Sequence, residues 1–547
     1  MNRKFESKLC WFGFLICAGF VFIFLQGCTE PDSSEIYYQT NVKSRDLQQI
    51  QTLELQKKET EETSPMEVNA PAPEKIELTL EECRAIALEN NLDLKIQLIN
   101  PAIAAERISQ QEARFESAFN SNVSYYNTNS PPASYSDYIS GSKGEGTNAN
   151  LGVQVPLHTG GTVAFDLADN KRDSDAVGLV YNYTSNMSTS ISQPLLRNAG
   201  NRVNTYAIRI AEYDYKIANA RTKLEAIRVI TDIDKYYWRL YAARKELEVR
   251  KQWYDHAAAL LEQAERLYQA GQVGQVEVIR AQAGVSQRLE AIITSENNVR
   301  LRERDLKKAL NKVGLEMSTP TTLELATDLD PVRYALQSDK LINIAINERM
   351  EMLELELQIA QDIINQGYLK NQALPLVTLD YTYNVRGAGF SRSDSYDLLL
   401  DTMHKTHNLS LNLSVPLGNG AAKSQIQQAF LQRRQRLITK ENREELIEYE
   451  VLNVIDQIEA NWQRILAGRQ SSILYGRLSE AESRQFELGY VTSTDVLEAQ
   501  NNLADAQSAE ILALVDYQIS LVDLAYATGT VFGSAKIRWE PFNQDDM

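Results

Sequence analysis

From about Asn204 to Ala270 the chain runs without a proline or a glycine, in a composition dominated by Ala, Glu, Arg, Lys, Leu, Ile and Tyr. As a single helix at ~1.5 Å per residue, that stretch reaches roughly 100 Å. A rod of this length cannot be buried in a globular core. It needs partners along its run, and uncapped helical patterning beyond ~25 residues points to coiled-coil-like packing. A second such stretch runs from about Ala421 to Leu488, interrupted only by Gly468 and Gly476. Shorter, alanine-rich helices follow each rod, at about Val276–Leu310 and Thr494–Ala527. Within them Ala281, Ala283, Ala499, Ala504, Ala506 and Ala509 let neighbours approach closely.

The two rods belong to an internal duplication, which is the first thing to establish in a long chain. Tyr268-Gln-Ala-Gly-Gln-Val-Gly-Gln-Val-Glu-Val-Ile-Arg-Ala-Gln282 aligns without a gap on Phe486-Glu-Leu-Gly-Tyr-Val-Thr-Ser-Thr-Asp-Val-Leu-Glu-Ala-Gln500. Gly271 pairs with Gly489, Val273 with Val491, Glu277 with Asp495 and Gln282 with Gln500. Upstream, Gln193-Pro194-Leu195 parallels Val415-Pro416-Leu417, and Trp238 parallels Trp462. Each copy opens with a helical segment, Leu80 to about Gln111 with a break expected at Pro101, and Val332 to about Ile364. The copies divide near Gly314–Asp330, where Pro320 and the Thr321-Thr322 pair interrupt the helical pattern. This gives a first repeat over 76–316, a second over 317–530 and a polar C-terminal tail over 531–547.

Ahead of each rod lie strands of strict period two. Leu376 to Val385 alternates Val377, Leu379, Tyr381, Tyr383 and Val385 with Thr378, Asp380, Thr382 and Asn384. After a Gly/Ser/Asp loop, His407 to Val415 alternates Leu409, Leu411, Leu413 and Val415 with Asn408, Ser410, Asn412 and Ser414. Apolar residues on one face and mostly uncharged polar residues on the other suit a barrel with lipid outside and water inside, at lengths that fit a tilted crossing. Ala118–Asn127 and Tyr181–Gln193 are the counterparts in the first copy. Between them, Leu151–Val155 and Thr162–Leu167 flank Pro156-Leu-His-Thr-Gly-Gly161 and read as a hairpin. The expectation is an elaboration of the strand region rather than added barrel strands. Two strands per copy give four per chain, and open edges cannot face lipid, so the chain must recruit copies of itself. Three chains would supply twelve strands.

The N-terminus carries Arg3, Lys4 and Lys8 ahead of an unbroken apolar run from Leu9 to Leu25, the order of an export signal. The run ends in Leu25-Gln26-Gly27-Cys28, which resembles a bacterial lipoprotein box. The resemblance implies cleavage after residue 27 and acylation of Cys28, with an uncleaved membrane anchor as the alternative. Thr29, in place of an aspartate, favours the outer membrane by the same analogy. Residues 28–75, broken by Pro31, Pro65, Pro71 and Pro73, hold too little apolar surface to offset ordering entropy and read as a tether.

A formal net charge of -17, from 56 Lys+Arg against 73 Asp+Glu, argues against nucleic acid as a partner. Cys10 and Cys17 lie in the export signal and Cys28 closes it, so Cys83 stands alone without a bridge to make. His404 and His407 form a near pair with neither a third ligand nor helical spacing, so no metal is expected. There is no phosphate loop, no zinc-protease motif and no nucleophile elbow, so neither an enzyme nor a cofactor is expected.

Taken together, Leu80-Glu-Glu-Cys-Arg-Ala-Ile-Ala-Leu-Glu-Asn-Asn-Leu92, the corners at Gln193-Pro-Leu195 and Val415-Pro-Leu417, and the duplicated segments around Gly271 and Gly489 resemble the outer membrane efflux protein family of TolC-like trimeric channels. The resemblance implies an α+β fold: a homotrimeric outer-membrane β-barrel, with four strands per chain, continuous with a long helical tunnel in the periplasm. It implies a passive conduit for small molecules that docks on a periplasmic adaptor protein and an inner-membrane pump, proton-driven or of ABC type. Carried onto this chain, Tyr268, Gly271, Val273, Phe486, Gly489 and Val491 occupy the adaptor-docking tips, the glycines easing tight turns and close helix packing. Glu277 and Asp495 are candidate lumen-facing acids. The alternatives are a type I secretion exit channel for polypeptides and a non-conducting structural coiled-coil lipoprotein.

Overall fold

The computed structural model describes residues 75–129, 131, 143–174 and 181–539. The export signal, Cys28 and nearly all of the tether lie outside these residues, as do 540–547. In chain order the first half runs β1 (Lys75–Leu78), α1 (Leu80–Asn90), α2 (Leu92–Glu112), β2 (Ala118–Asn129), β3 (Lys143–Pro156), β4 (Thr162–Ser174), β5 (Tyr183–Pro194), α3 (Tyr206–Gln269) and α4 (Gln275–Leu310). The second half repeats the order with fewer strands: β6 (Thr322–Leu325), α5 (Ser338–Glu348), α6 (Met350–Gln372), β7 (Leu376–Gly389), the short α7 (Arg392–Leu400), β8 (Lys405–Ser414), α8 (Gly420–Glu487) and α9 (Ser493–Ala527). A short turn, α10 (Val531–Ser534), is the last element of the described residues. β1 and β6 pair in parallel, joining the starts of the two halves.

The rods are single helices, α3 of 64 residues and α8 of 68. The leading helices differ from the sequence reading. The first breaks at Asn91, not at Pro101, because Asn91 is extended and its side chain accepts the Leu94 N–H to start α2. Pro101 sits inside α2. Lacking an N–H, it cannot bond the Gln97 carbonyl one turn back; the Thr222 hydroxyl of α3 lies 3.1 Å from Gln97 O and 2.9 Å from Ala218 O, so its one proton is shared between the two. Thr222→Val should remove this shared hydroxyl from a part-buried carbonyl and cost about 0.5–1.5 kcal/mol, read as a lower denaturation midpoint, whereas Thr222→Ser should cost far less. In the second half, the helix expected from Val332 begins only at Ser338 and breaks at Arg349. Arg349 is 4% exposed and ion-pairs with Glu351 at 2.8 Å and with Glu450 of α8.

Six strands form one sheet, in the order β2-β3-β4-β5-β7-β8, each antiparallel to its neighbour. Where the sequence leads one to expect four strands per chain, with the 151–167 hairpin as an elaboration, the hairpin joins the same sheet and brings its strand count to six. β3 and β4 are 14 and 13 residues long and sit in the ladder like the rest. Their central residues continue the alternation of their neighbours, so pairing them extends the same two faces at no cost in register. One row of partners across the sheet reads Val155, Val163, Ile191, Tyr381 and Leu409, and the next, on the opposite face, reads Gln154, Ala164, Ser190, Thr382 and Asn408. Many of the large apolar side chains on the first face are exposed, among them Val153, Phe165, Ile191 and Leu411. At one end of that face α7 covers β5 and β7. Gly387 is required there, since a Cβ would meet Ser395 O at 1.9 Å.

The main core lies where α1, α2, α4 and the β1/β6 pair pack on the middle of α3, around Ile230, Tyr237, Leu240, Leu306 and Leu323. Cys83 is fully buried there, its thiol pushed up to about 12 by that burial, and it serves as a small apolar filler. Residues 531–539 fold onto the same core: Phe532 stacks on Trp539 with ring centroids 5.6 Å apart. The rods are unequally covered. α3 buries residues along its length, whereas α8 leaves Leu431, Ile438, Leu452, Leu466 and Ile473 exposed on one heptad track. No helix among the described residues is long and apolar enough to cross a membrane.

Candidate functional site

Two features of the fold bear on function: the sheet with unlike faces and, a rod's length away, the turns where each long helix reverses. Both turns are built alike. α3 ends at Gln269, and Gly271, at φ +74°, donates its N–H to Tyr268 O at 2.9 Å while Gln272 N–H reaches back to Leu267 O at 2.9 Å. In the second turn, Gly489 at φ +77° donates to Phe486 O at 3.0 Å and Tyr490 N–H to Gln485 O at 2.9 Å. This glycine-terminated end satisfies the last carbonyls of each rod. The space where a Cβ would stand at either glycine is open, with nothing within 4 Å. Both glycines thus serve the left-handed backbone; close packing within the chain asks nothing of them.

The tip residues separate into a core and a surface. Phe486 is 2% exposed and packs with Leu260, Ala264, Ala281 and Val496, with Val491 against the cluster. Its place among the surface residues is corrected: as the largest apolar side chain near the turn, it is consumed in holding the turn together. Tyr268 is exposed, as are Leu488 and Tyr490, the latter at 80%. Val273 is half-buried.

The repeat diverges where the return helices begin, and that divergence sets the electrostatics. In the second copy Thr492 and Asp495 form a capping box at the start of α9: Thr492 N–H donates to Asp495 Oδ2 at 2.8 Å and its hydroxyl to the same oxygen at 2.7 Å. These bonds hold the Asp495 carboxyl below the usual range. The first copy has Gly274 where the second has Thr492, and Gly274 offers no side-chain cap. Glu277, the counterpart of Asp495, is therefore released from local capping. It crosses to the other copy and accepts the Ser493 N–H at 2.9 Å and the Ser493 hydroxyl. Arg280 flanks it at 2.7 Å. Burial opposes its ionisation, but the Ser493 bonds and the Arg280 charge outweigh that and keep Glu277 below the usual carboxylate range. The result is a charged latch between the first turns of α4 and α9, reinforced by the positive end of the α9 dipole.

Behind the latch is a second tie. Arg288 of α4, 1% exposed, donates to Gly284 O at 3.0 Å, to Leu497 O at 3.3 Å and to Asn501 Oδ1 at 3.0 Å, and its guanidinium lies 4.6 Å from the Trp253 ring centre. Burial pushes its pKa down to about 10. Gly284 leaves the room, since a Cβ there would sit 2.9 Å from Arg288 Nη1. Sequence reasoning found Glu277 and Asp495 but missed Ser493, Arg288 and Trp253. The mismatch of Gly274 with Thr492 in the aligned repeats was the available signal for the first of these. Arg288 falls where the second copy has Ala506, and nothing in its local sequence sets it apart. Among the described residues no group of three or more His, Cys, Asp and Glu side chains could hold a metal. His407 instead bonds the Tyr381 hydroxyl at 2.9 Å.

A sheet apolar on one face and polar on the other, fused to rods that reverse at hydrogen-bonded tips, defines one protomer of an outer-membrane channel. The chain belongs to the outer membrane efflux protein family, whose model matches residues 163–312 and 341–530. It is 25% identical over 309 residues to the outer membrane protein TolC of Vibrio cholerae, a match covering 55% of this chain and 68% of that protein. It is 24% identical over 278 residues to TolC of Salmonella enteritidis, covering 50% of this chain and 55% of that relative. Among solved structures, the Campylobacter jejuni CmeC outer membrane channel superposes with a TM-score of 0.61 at 16% identity, over 82% of this chain and 85% of that one. The outer-membrane channel OprN does so with a TM-score of 0.61 at 13% identity, over 82% and 90%. These likenesses establish the fold, α+β and TolC-like, and the family places the chain in the outer membrane as an efflux channel protein.

Proposed function

We propose that three copies of this chain form a passive conduit which crosses the outer membrane as a β-barrel and the periplasm as a helical tunnel, and conducts small molecules when its tips engage a periplasmic adaptor and an inner-membrane pump. The observation that carries this is the sheet: its apolar face is exposed, its other face is lined mainly by Asn, Ser and Thr, and among the described residues the outer edges of β2 and β8 are unpaired. Such a sheet is stable in lipid only when closed. The exposed heptad track on α8 supports the same conclusion for the helices, since it needs a neighbouring rod. Tyr268, Leu488 and Tyr490 present aromatic and apolar surface at the tips, the kind of residue enriched at protein interfaces. The adaptor docks on them, with Val273 and Val491 supporting the turns, and the helices splay. Glu277 holds the closed state, and Asp495 lends negative charge at the entrance.

The test is conductance of the purified trimer in planar bilayers, with and without the tip latch. Stepwise conductance, larger once the latch is removed, is expected. Intact trimers that stay silent in both forms would sink the proposal. Cys28 is assigned as the acylated N-terminus of the mature chain. Cys28→Ser should abolish incorporation of labelled palmitate, and undiminished labelling would refute that assignment.

A further inference from the structure

We propose that β3 and β4 are part of the membrane wall, so that three chains close an eighteen-stranded barrel whose exit is wide enough to pass elongated solutes up to the girth of a helical peptide. This rests on the trimeric conduit described above. The first observation is continuity. β2 to β5, β7 and β8 form one antiparallel ladder, six strands per chain, each long enough for a tilted crossing. The hairpin's apolar residues share rows with those of the flanking strands: Leu151 and Leu167 pair with each other, and Leu167 pairs with Met187 of β5. Val153 and Phe165 are as exposed as Leu379 and Tyr381 on β7. A hairpin standing in water would have no reason to keep its apolar face coplanar with lipid-facing neighbours and bare.

The second observation is the edges. β2 and β8 are the strands with unpaired ladder groups, and nearly every residue of both is exposed. An even number of alternating strands brings β8 of one copy antiparallel to β2 of the next, so copies of this chain satisfy both edges without a mismatch. Removing β3 and β4 from the wall would break the ladder on both sides of the hairpin and leave β2 detached from β5.

The third is circumference. A strand spaced ~4.8 Å from its neighbour and tilted ~40° occupies ~6 Å of perimeter, so eighteen strands span ~110 Å and twelve only ~75 Å. Next to the sheet, α2, α3, α6 and α8 of each of three chains, at ~8–10 Å spacing, ring a tunnel of ~100–120 Å. The wider barrel meets that ring without a step. Its backbone diameter is ~35 Å, in the range of strand number at which porins leave an open aqueous channel, against ~10–12 Å for a helix with its side chains. The barrel thus does little sorting, and selection falls to the tips and to whatever docks on them.

Single-cysteine variants of the full-length trimer, reconstituted in phospholipid vesicles and treated with a membrane-impermeant maleimide, test this, with buried Cys83 as a silent background. Asn150→Cys and Asp166→Cys should label, and Leu151→Cys and Leu167→Cys should label at least ~10-fold more slowly until detergent strips the lipid. Equal labelling of both faces, or failure of the polar-face variants to react, overturns the inference. Leu411→Cys and Asn412→Cys on β8 serve as reference. If they lack the contrast as well, the membrane-barrel reading itself fails; if they show it and the hairpin does not, only the eighteen-strand wall fails. Counting strands in an image reconstruction of the same trimer must then give eighteen, and a count of twelve refutes the proposal whatever the labelling.

Discussion

Glu277→Ala should shift the channel strongly toward its open state. The carboxylate accepts two hydrogen bonds from Ser493 across the repeat boundary, and hydrogen bonds to a charged group contribute about 1.5–3 kcal/mol each. Losing ~3 kcal/mol per chain lowers the closed-to-open ratio of each tip by ~10²-fold, since every ~1.4 kcal/mol is a factor of ten. Single-channel recording should show longer and larger openings. Glu277→Gln, which keeps an acceptor but no charge, should fall between. Glu262→Ala, removing the carboxylate of an exposed pair with Arg266 on α3, is the control and should change nothing. Conductance of Glu277→Ala indistinguishable from that control would mean the latch does not hold the tips.

The same latch has a pH signature. In the latched state Glu277 sits below the ordinary carboxylate range. Its contribution is therefore complete above the pKa of the free side chain and is lost as pH falls through the lowered value. Acid below the ordinary carboxylate range should open the unmodified channel, while mild acid leaves the latch intact, and this component of the response should be missing in Glu277→Ala.

How much of this was readable in advance depended on the range of the interactions. The rods, the two tip turns and the alternating strands declare themselves locally: helix length follows from the absence of Pro and the scarcity of Gly, and Gly271 and Gly489 mark the turns because their φ values demand it. Propensity places the break at Pro101 rather than Asn91 because it cannot see that Thr222, far along the chain, brings its hydroxyl within reach of the carbonyl that Pro101 leaves free. The strand count was misjudged for a related reason. Charged and glycine residues in the outer parts of β3 and β4, such as Glu145, Gly146, Asp169 and Lys171, blur the period-two signal, so only the central residues read as strand, and the ladder supplied the rest. The latch was half visible. The acids stood out, but their unlike roles come from a single substitution between the copies, Gly274 against Thr492, whose effect appears only when α4 and α9 lie side by side.

The largest stability effect should come from breaking the buried pair of Arg84 and Asp234. Arg84 of α1 grips Asp234 of α3 with two parallel bonds, 2.7 and 2.6 Å long, and the two side chains are 15% and 4% exposed. Burial pushes the Asp234 carboxyl above its ordinary range even with the guanidinium beside it. The site therefore tolerates the charge only while the partner remains. Asp234→Ala leaves the guanidinium buried and unpaired, at a cost of about 3–5 kcal/mol. The apparent melting temperature of the detergent-solubilised protein, followed by far-ultraviolet circular dichroism, should fall by roughly 3–5 °C. A single truncation does not separate a net stabilising pair from one that is merely costly to break, and Arg84→Met combined with Asp234→Leu does. With both charges replaced by apolar volume, most of the lost stability should return, because desolvation of two ions is removed along with their attraction. If the double variant were as unstable as Asp234→Ala alone, the pair would be a net source of stability, and the seam between α1 and α3 would depend on its charge as well as on the packing around Cys83.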